Sequence, residues 1–267
     1  MIELKHQKGK SKTIRIKDQV IGTDNFTFIA GPCTIENFED LLQITQQLKK
    51  MGINFFRGGA YKMRTSPYNF QGLGKEGLEH IKSVSQKTGL ISVSEIVSCE
   101  DVEMMSSYVD ILQIGTRNMH NYRLLRRLGS IENPVILKRG MSSTIEEWLL
   151  AAEHILEAGN PNVILCERGI RTFENFTRHT LDISAIPAVK SLSNLPIIVD
   201  PSHSSGRREM IKSLSWAAMA AGADGLLIET HFNPDSTICD SKQTIDFEIL
   251  NEILAKKEQL LDLWGKS

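Results

Sequence analysis

Four residues far apart in the chain, Cys33, His203, Glu229 and Asp240, make up a donor set of one thiolate, one imidazole and two carboxylates. That set suits a divalent transition metal such as Mn, Fe, Co or Zn, whereas an all-oxygen set would point to Mg. A second group is cationic: Arg57, Lys62, Arg64, Arg117, Lys138, Arg139, Arg168 and Arg171, in a chain whose formal net charge is only −1. Gathered at one mouth, these cations imply a strongly anionic ligand, with Arg forks matching phosphate or carboxylate and Lys acting as a point charge or an acid. The loop Arg57–Gly72 adds Gly58 and Gly59 for close backbone approach, and Thr65 and Ser66 as hydroxyls beside Arg64, a composition suited to wrapping a phosphate ester. Glu95 is a lone carboxylate among cations that could orient a lysine, position a water or only neutralise charge. Each residue also has a plainer role: Cys33 as core filler, Asp240 in a turn, His203 as a hydrogen-bond partner, Arg139 and Arg171 as solvated charges. Their joint placement decides between the two.

That placement follows from eight short apolar runs, each ending on one of these residues. The runs are Phe26–Ala30 before Cys33, Ile53–Phe56 before Arg57, Leu90–Ser94 before Glu95, and Ile111–Gly115 before Arg117. Then come Pro134–Leu137 before Lys138, Asn162–Cys166 before Glu167 and Arg168, Pro196–Val199 before Asp200 and His203, and Gly225–Ile228 before Glu229. Helical stretches separate them: 38–51, 75–88, 100–106, 121–128, 144–157, 182–191, 207–221 and 244–264. Asn37 and Ser143 or Thr144 are N-cap candidates, and Gly52, Gly89, Gly129, Gly159 and Gly222 read as residues just past helix ends. Runs such as 163–166 and 197–199 are apolar on both faces, as in a parallel sheet covered by helices. The fold class is therefore α/β, a (β/α)8 TIM barrel, whose active site lies at the C-terminal ends of its strands. Strand 8 neighbours strands 1 and 7 in a closed barrel, so the four metal candidates converge.

A length of 267 residues fits one such barrel. Residues 1–25 read as a short N-terminal β extension, with a hairpin pattern over 13–16 and 19–21, and residues 26–267 as the catalytic barrel. Near-neutral charge argues against general nucleic-acid or anionic-membrane binding, and no apolar run approaches the roughly 20 residues that span a bilayer. The polar, basic start and four scattered cysteines (33, 99, 166 and 239) suggest a cytoplasmic chain with reduced thiols.

The text Ile29-Ala-Gly-Pro-Cys-Thr-Ile-Glu36, Arg57–Gly74, Gln113-Ile-Gly-Thr-Arg-Asn-Met119, Leu137-Lys-Arg-Gly140, Ile164–Phe173, Asp200-Pro-Ser-His203 and Ala223–Glu229 closely resembles the type I-beta DAHP (3-deoxy-D-arabino-heptulosonate 7-phosphate) synthases, in their barrel-only form. The resemblance covers about residues 26–245 in unbroken order. It implies condensation of phosphoenolpyruvate with erythrose 4-phosphate, releasing phosphate, as the first step of the shikimate pathway. It further implies that Cys33, His203, Glu229 and Asp240 hold a divalent metal, manganese first and iron, cobalt or zinc as alternatives. Phosphoenolpyruvate contacts would be Arg57, Lys62, Glu95, Thr116, Arg117, Lys138 and Arg168, with Arg64, Thr65 and Ser66 on the erythrose 4-phosphate side; among the cations, His203 could add a further donor to the substrate. One position departs from the family pattern, Met63 standing where members commonly carry Pro, which removes a preset φ from the loop.

The mechanism implied is attack of carbon 3 of phosphoenolpyruvate on an aldehyde polarised by the metal, with water placed by Glu95 adding at carbon 2. Lys62, expected to be depressed by cationic neighbours, would protonate the new alkoxide, and Lys62, Glu95, Cys33 and His203 form the catalytic group. Expected partners are a second copy of the chain, as a dimer or tetramer, and a separate chorismate mutase. Three rivals share the residues: the sister synthase making 3-deoxy-D-manno-octulosonate 8-phosphate, a class I aldolase with a Schiff base on Lys138, and a non-catalytic barrel that senses phosphometabolites. Arg64-Thr65-Ser66 favours the four-carbon sugar, and a retained ligand set argues against a mere sensor.

Overall fold

The structure, a computed structural model, describes residues 3–64 and 66–265. It opens on an antiparallel pair, β1 (Ile14–Ile16) and β2 (Gln19–Ile21), turned through Lys17 at a φ of 53°. Strand and helix then alternate: β3 (Thr27–Gly31), α1 (Phe38–Lys50), β4 (Phe55–Arg57), α2 (Lys75–Thr88), β5 (Ile91–Ile96), α3 (Val102–Ser106), β6 (Ile111–Ile114) and α4 (Tyr122–Leu128). The second half runs β7 (Val135–Lys138), α5 (Ile145–Glu157), β8 (Val163–Glu167), α6 (Ala185–Leu192), β9 (Ile197–Val199), α7 (Pro201–Ser205), α8 (Arg208–Ala220), β10 (Gly225–Glu229), α9 (Phe247–Ala255) and α10 (Lys257–Leu261). Strands β3 to β10 form a closed parallel barrel, sealed where β10 pairs with β3 from Gly225–Thr27 to Glu229–Gly31. This is the (β/α)8 barrel expected from the apolar runs.

Every residue of β8 is buried, because a strand inside a helix-covered barrel has no wet face. Successive side chains point to opposite sides, so Val163 and Leu165 join the core beneath the helices while Ile164 and Cys166 fill the barrel interior. The interior cluster also contains Ile14, Ile16 and Ile21, so the β1–β2 pair closes the N-terminal end of the barrel with its own side chains. Filling that end leaves the opposite end, where the strands stop, as the place for polar groups.

Helix signals hold at most positions. Asn37 caps α1 by accepting from Asp40 N at 2.8 Å, and Thr144 caps α5 in a reciprocal box with Glu147. Gly52, Gly89, Gly159 and Gly222 take positive φ after helices as expected. Gly129 does not: it sits at φ −67°, and a Cβ there would lie 2.2 Å from Ala158 Cβ. Its glycine serves the close approach of the α4 and α5 ends, a packing demand that local sequence does not announce. The single helix expected over 244–264 is also corrected. Ile245 extends the sheet by bridging Thr230, Asp246 caps α9 through Ile249 N at 2.8 Å, and the path breaks at Lys256 (φ −99°, ψ 0°) before α10. Among the described residues no helix is long and apolar enough to cross a membrane.

Candidate active site

The strand ends deliver the side chains. After β9, Asp200 and Pro201 start α7 with an N-cap acceptor and a helix-ready φ. Asp200 Oδ1 accepts from His203 N at 2.9 Å, and its Oδ2 from His203 Nδ1 at 2.7 Å. The imidazole is therefore fixed with Nε2 facing Glu229 Oε1 at 3.3 Å, at the end of β10. Asp240 lies on the loop beyond at φ 56°, a left-handed conformation that Asp tolerates better than most residues. Cys33 Sγ donates to Asp240 Oδ2 at 3.1 Å. One ligand atom from each of Cys33, His203, Glu229 and Asp240 falls within 4.8 Å of the others, a spread that accommodates a cation at ordinary bond lengths of 2.0–2.6 Å. A sulfur, a nitrogen and two oxygens fit a transition metal better than Mg. The residues present fit the group.

Cations crowd this cluster. Lys62 Nζ reaches Asp240 Oδ2 at 2.7 Å and also contacts Cys33 Sγ. Arg57 donates to Glu229 Oε1 at 2.6 Å and to Cys33 O at 3.2 Å, and Gln243 donates to Glu229 Oε2 at 2.5 Å. Burial pushes the Cys33 thiol well above its usual range, with Glu229 adding to the shift. Burial alone would raise Glu229, but His203 and Arg57 hold it down to about 2. Burial likewise opposes ionisation of Lys62, yet Cys33, Glu229 and Asp240 outweigh it and leave the ammonium raised. This is the opposite direction to the expected depression: the groups nearest Lys62 are the thiol and carboxylates of the metal candidates, because the 57–72 loop folds it over them rather than among the arginines. His203 is pushed down to about 4 by burial, against Asp200 and Glu229, which keeps a lone pair free for bonding.

Above the cluster is a cavity of about 170 Å³. Lys62, Arg64, Glu95, Thr116, Arg117, Lys138, Arg168, His203 and Asp240 all line it, with Cys33, Arg57 and Glu229 buried beneath. Met63 lines it too, and its carbonyl accepts from Arg117 at 3.4 Å. Lys138 Nζ pairs with Asp200 Oδ2 at 2.5 Å, and Arg168 donates to His203 O at 3.0 Å. Burial raises the Glu95 carboxyl, against the pull of Lys138, Lys62, Arg57 and Arg117. Ser66 stands off the wall, its Oγ accepting from Tyr68 N at 3.4 Å, and Thr65 lies outside the described residues. Arg139 turns away from the mouth to bind Glu167 at 2.9 Å, Asp182 at 2.8 Å and Ser143 O at 3.1 Å, and Arg171 is exposed on the β8–α6 loop.

Three contributors had not been singled out for these roles: Asp200, Gln243 and Arg178. Asp200 carried a legible signal, since Asp before Pro is an N-cap pattern, but its partner Lys138 is 62 residues away. Gln243 and Arg178 carried none. Their roles depend on loops meeting across the mouth.

A family model described as the DAHP synthetase I family matches residues 3–264. A phospho-2-dehydro-3-deoxyheptonate aldolase of Thermotoga maritima is 50% identical over 252 residues, covering 94% of this chain and 75% of that protein. A 2-dehydro-3-deoxyphosphooctonate aldolase of Desulfatibacillum aliphaticivorans is 32% identical, covering 85% and 88%. Among solved structures, that Thermotoga maritima aldolase (DAHP synthase) superposes with a TM-score of 0.93 at 48% identity, covering 97% of this chain and 76% of its own. A truncated 3-deoxy-D-arabino-heptulosonate 7-phosphate synthase from the same organism gives 0.90 at 45% identity, covering 97% and 95%. With the barrel closed and the ligand set, cations and cavity at one mouth, the chain belongs to the DAHP synthetase I family.

Proposed function

We propose that the chain condenses phosphoenolpyruvate with erythrose 4-phosphate to DAHP and phosphate, the first step of the shikimate pathway. The observation carrying this reading is the meeting of Cys33, His203, Glu229 and Asp240 within 4.8 Å beneath a cation-lined cavity, in a chain 50% identical to a phospho-2-dehydro-3-deoxyheptonate aldolase. A divalent metal, in our reading Mn²⁺, would be held by those four side chains and supply Lewis acidity at the aldehyde oxygen. Residues 26–267 are read as the catalytic barrel and residues 1–25 as its cap.

The chain's own residues then divide the work. Arg57, Arg117, Lys138 and Arg168 hold the phosphate and carboxylate of phosphoenolpyruvate, with Arg57 and Lys138 fixed in place by buried Glu229 and Asp200. Arg64, Thr65 and Ser66 take the phosphate of the sugar. Carbon 3 of phosphoenolpyruvate attacks the aldehyde carbon, and Lys62 Nζ gives its proton to the new alkoxide. A raised ammonium can still do this, since an alkoxide is much the stronger base. Glu95, its carboxyl raised by burial, positions and deprotonates the water that adds to carbon 2, after which phosphate leaves. The Lys138 amine is held by the buried Asp200 carboxylate at 2.5 Å, which speaks against the Schiff-base reading.

The test is phosphate release from phosphoenolpyruvate with erythrose 4-phosphate or arabinose 5-phosphate, with and without EDTA and added Mn²⁺. We expect metal-dependent turnover with the four-carbon sugar. Turnover with arabinose 5-phosphate alone would move the chain to the sister activity, and EDTA-resistant turnover would overturn the metal reading. A cytoplasmic dimer or tetramer working beside a separate chorismate mutase completes the proposal, and light scattering with and without such a mutase checks it.

A further inference from the structure

The mouth cations differ in how firmly they are held. Arg57 and Lys138 are buried and bound to carboxylates at 2.5–2.6 Å. Arg178, on the β8–α6 loop, has a side chain 41% exposed, and its contacts are long: 3.7 Å to Asp240 Oδ1 and 3.3 Å to Gln243 Oε1. Its backbone is nevertheless anchored, with Arg178 N donating to Ser205 O at 2.9 Å and His179 N to Ser204 O at 2.7 Å, beside the helix that carries His203. A fixed backbone with a loosely held guanidinium is the arrangement of a group that closes on a ligand.

Two further observations say which ligand. Arg64 donates to Cys239 Sγ at 3.5 Å while Arg178 approaches Asp240, so the two arginines contact consecutive residues of one loop, and both line the cavity. Arg178 also stands between the 170 Å³ cavity and an open hollow of about 1010 Å³ that it lines as well. Small-molecule sites usually measure about 300–1,000 Å³, so the inner cavity alone is tight for two phosphorylated substrates. Space for the second is gained across Arg178.

We propose that Arg178 is a binding residue for the phosphate of the sugar substrate, closing on it opposite Arg64. This rests on the function proposed above. When the phosphate arrives, the guanidinium exchanges its long contacts with Asp240 and Gln243 for charge-assisted bonds to phosphate oxygens. The same exchange makes Arg178 the wall between cavity and hollow only while the sugar is absent.

Steady-state kinetics of the Mn²⁺-supplied enzyme test it with R178Q and R178K. Losing a charge-assisted contact should raise the KM for erythrose 4-phosphate about 10- to 100-fold in R178Q. The KM for phosphoenolpyruvate and the Kd for Mn²⁺ should stay within about twofold, and R178K should recover part of the loss. An unchanged erythrose 4-phosphate KM overturns the proposal. Equal losses for phosphoenolpyruvate or Mn²⁺ also overturn it, because Arg178 would then act through Asp240. If the wild type turns over no erythrose 4-phosphate, the function itself is wrong and this assignment falls with it.

Discussion

Lys138 and His203 share one carboxylate oxygen: Asp200 Oδ2 lies 2.5 Å from Lys138 Nζ and 2.7 Å from His203 Nδ1. The two elements they come from, β7 and α7, are thus tied at one fully buried point. The phosphoenolpyruvate-binding side of the proposed site and its metal side cannot move independently. Burial alone would raise the Asp200 carboxyl, yet His203 and Lys138 hold it well below the usual range, so it stays ionised.

Asp200→Asn should therefore damage both sides. The amide keeps the shape but leaves Lys138 buried without an anion, and breaking such a pair costs about 3–5 kcal/mol. It also frees the tautomer of His203, and loss of an outer partner typically weakens metal binding about 10–100-fold. Thermal unfolding and Mn²⁺ titration by calorimetry check this. Wild-type metal affinity in the variant would sink the idea that Asp200 fixes His203.

Gly115 sets the position of Glu95. A Cβ at Gly115 would stand 2.1 Å from Glu95 Oε1, which is the free end of a side chain and can swing aside. Gly115→Ala should therefore leave the unfolding midpoint nearly unchanged while lowering kcat by about 10²-fold, the order expected for a misplaced acid–base group. Equal kcat in the two proteins would remove Glu95 from the reacting geometry.

The β1–β2 pair is part of the barrel's packing through Ile14, Ile16 and Ile21, and Ile14 is wholly buried. Ile14→Ala should open a void at the closed end and cost about 2–5 kcal/mol. The midpoint should drop by on the order of 10 °C, given about 2–4 °C per kcal/mol for chains of this size. Metal affinity, measured alongside, should not change, because the site is at the other end. An unchanged midpoint would show that the hairpin is dispensable for stability.

The barrel was legible because its strands are apolar on both faces, as Val163–Cys166 illustrates, and because all but the first run, which precedes Cys33, stop at a charged residue or one short of it. The four metal candidates were legible for the same reason, once strand order made β10 the neighbour of both β3 and β9. What stayed hidden depends on distant chain segments. Gly129 looked like a helix-end glycine, yet its reason is Ala158 on another helix. Arg139 was grouped with the mouth cations or read as a solvated charge, but just past β7 it turns inward to buried Glu167 and to Asp182, partners 28 and 43 residues away. The direction of the Lys62 shift was not legible because the groups it contacts, Cys33 and Asp240, lie 29 and 178 residues away.

His179 gives the chain a pH-dependent stability that can be isolated. It is buried, its Nδ1 lacks a hydrogen-bond partner, and burial together with Arg168 and Arg178 pushes it down to about 4, with the backbone of His203 pulling the other way. An unfolded histidine titrates near 6.5. Between about pH 4 and 6.5 the unfolded chain thus binds a proton that the folded chain refuses, so stability from this site rises with pH across that window and is complete above it. The slope contributed is at most about 1.4 kcal/mol per pH unit, one proton's worth. Other groups titrate in the same range, so the comparison is with His179→Asn, which removes only this proton. The difference in unfolding midpoint between wild type and variant should shift in the variant's favour from pH 7 to pH 5. A difference that is the same at both pH values would mean that His179 is protonated as readily in the folded chain as in the unfolded one.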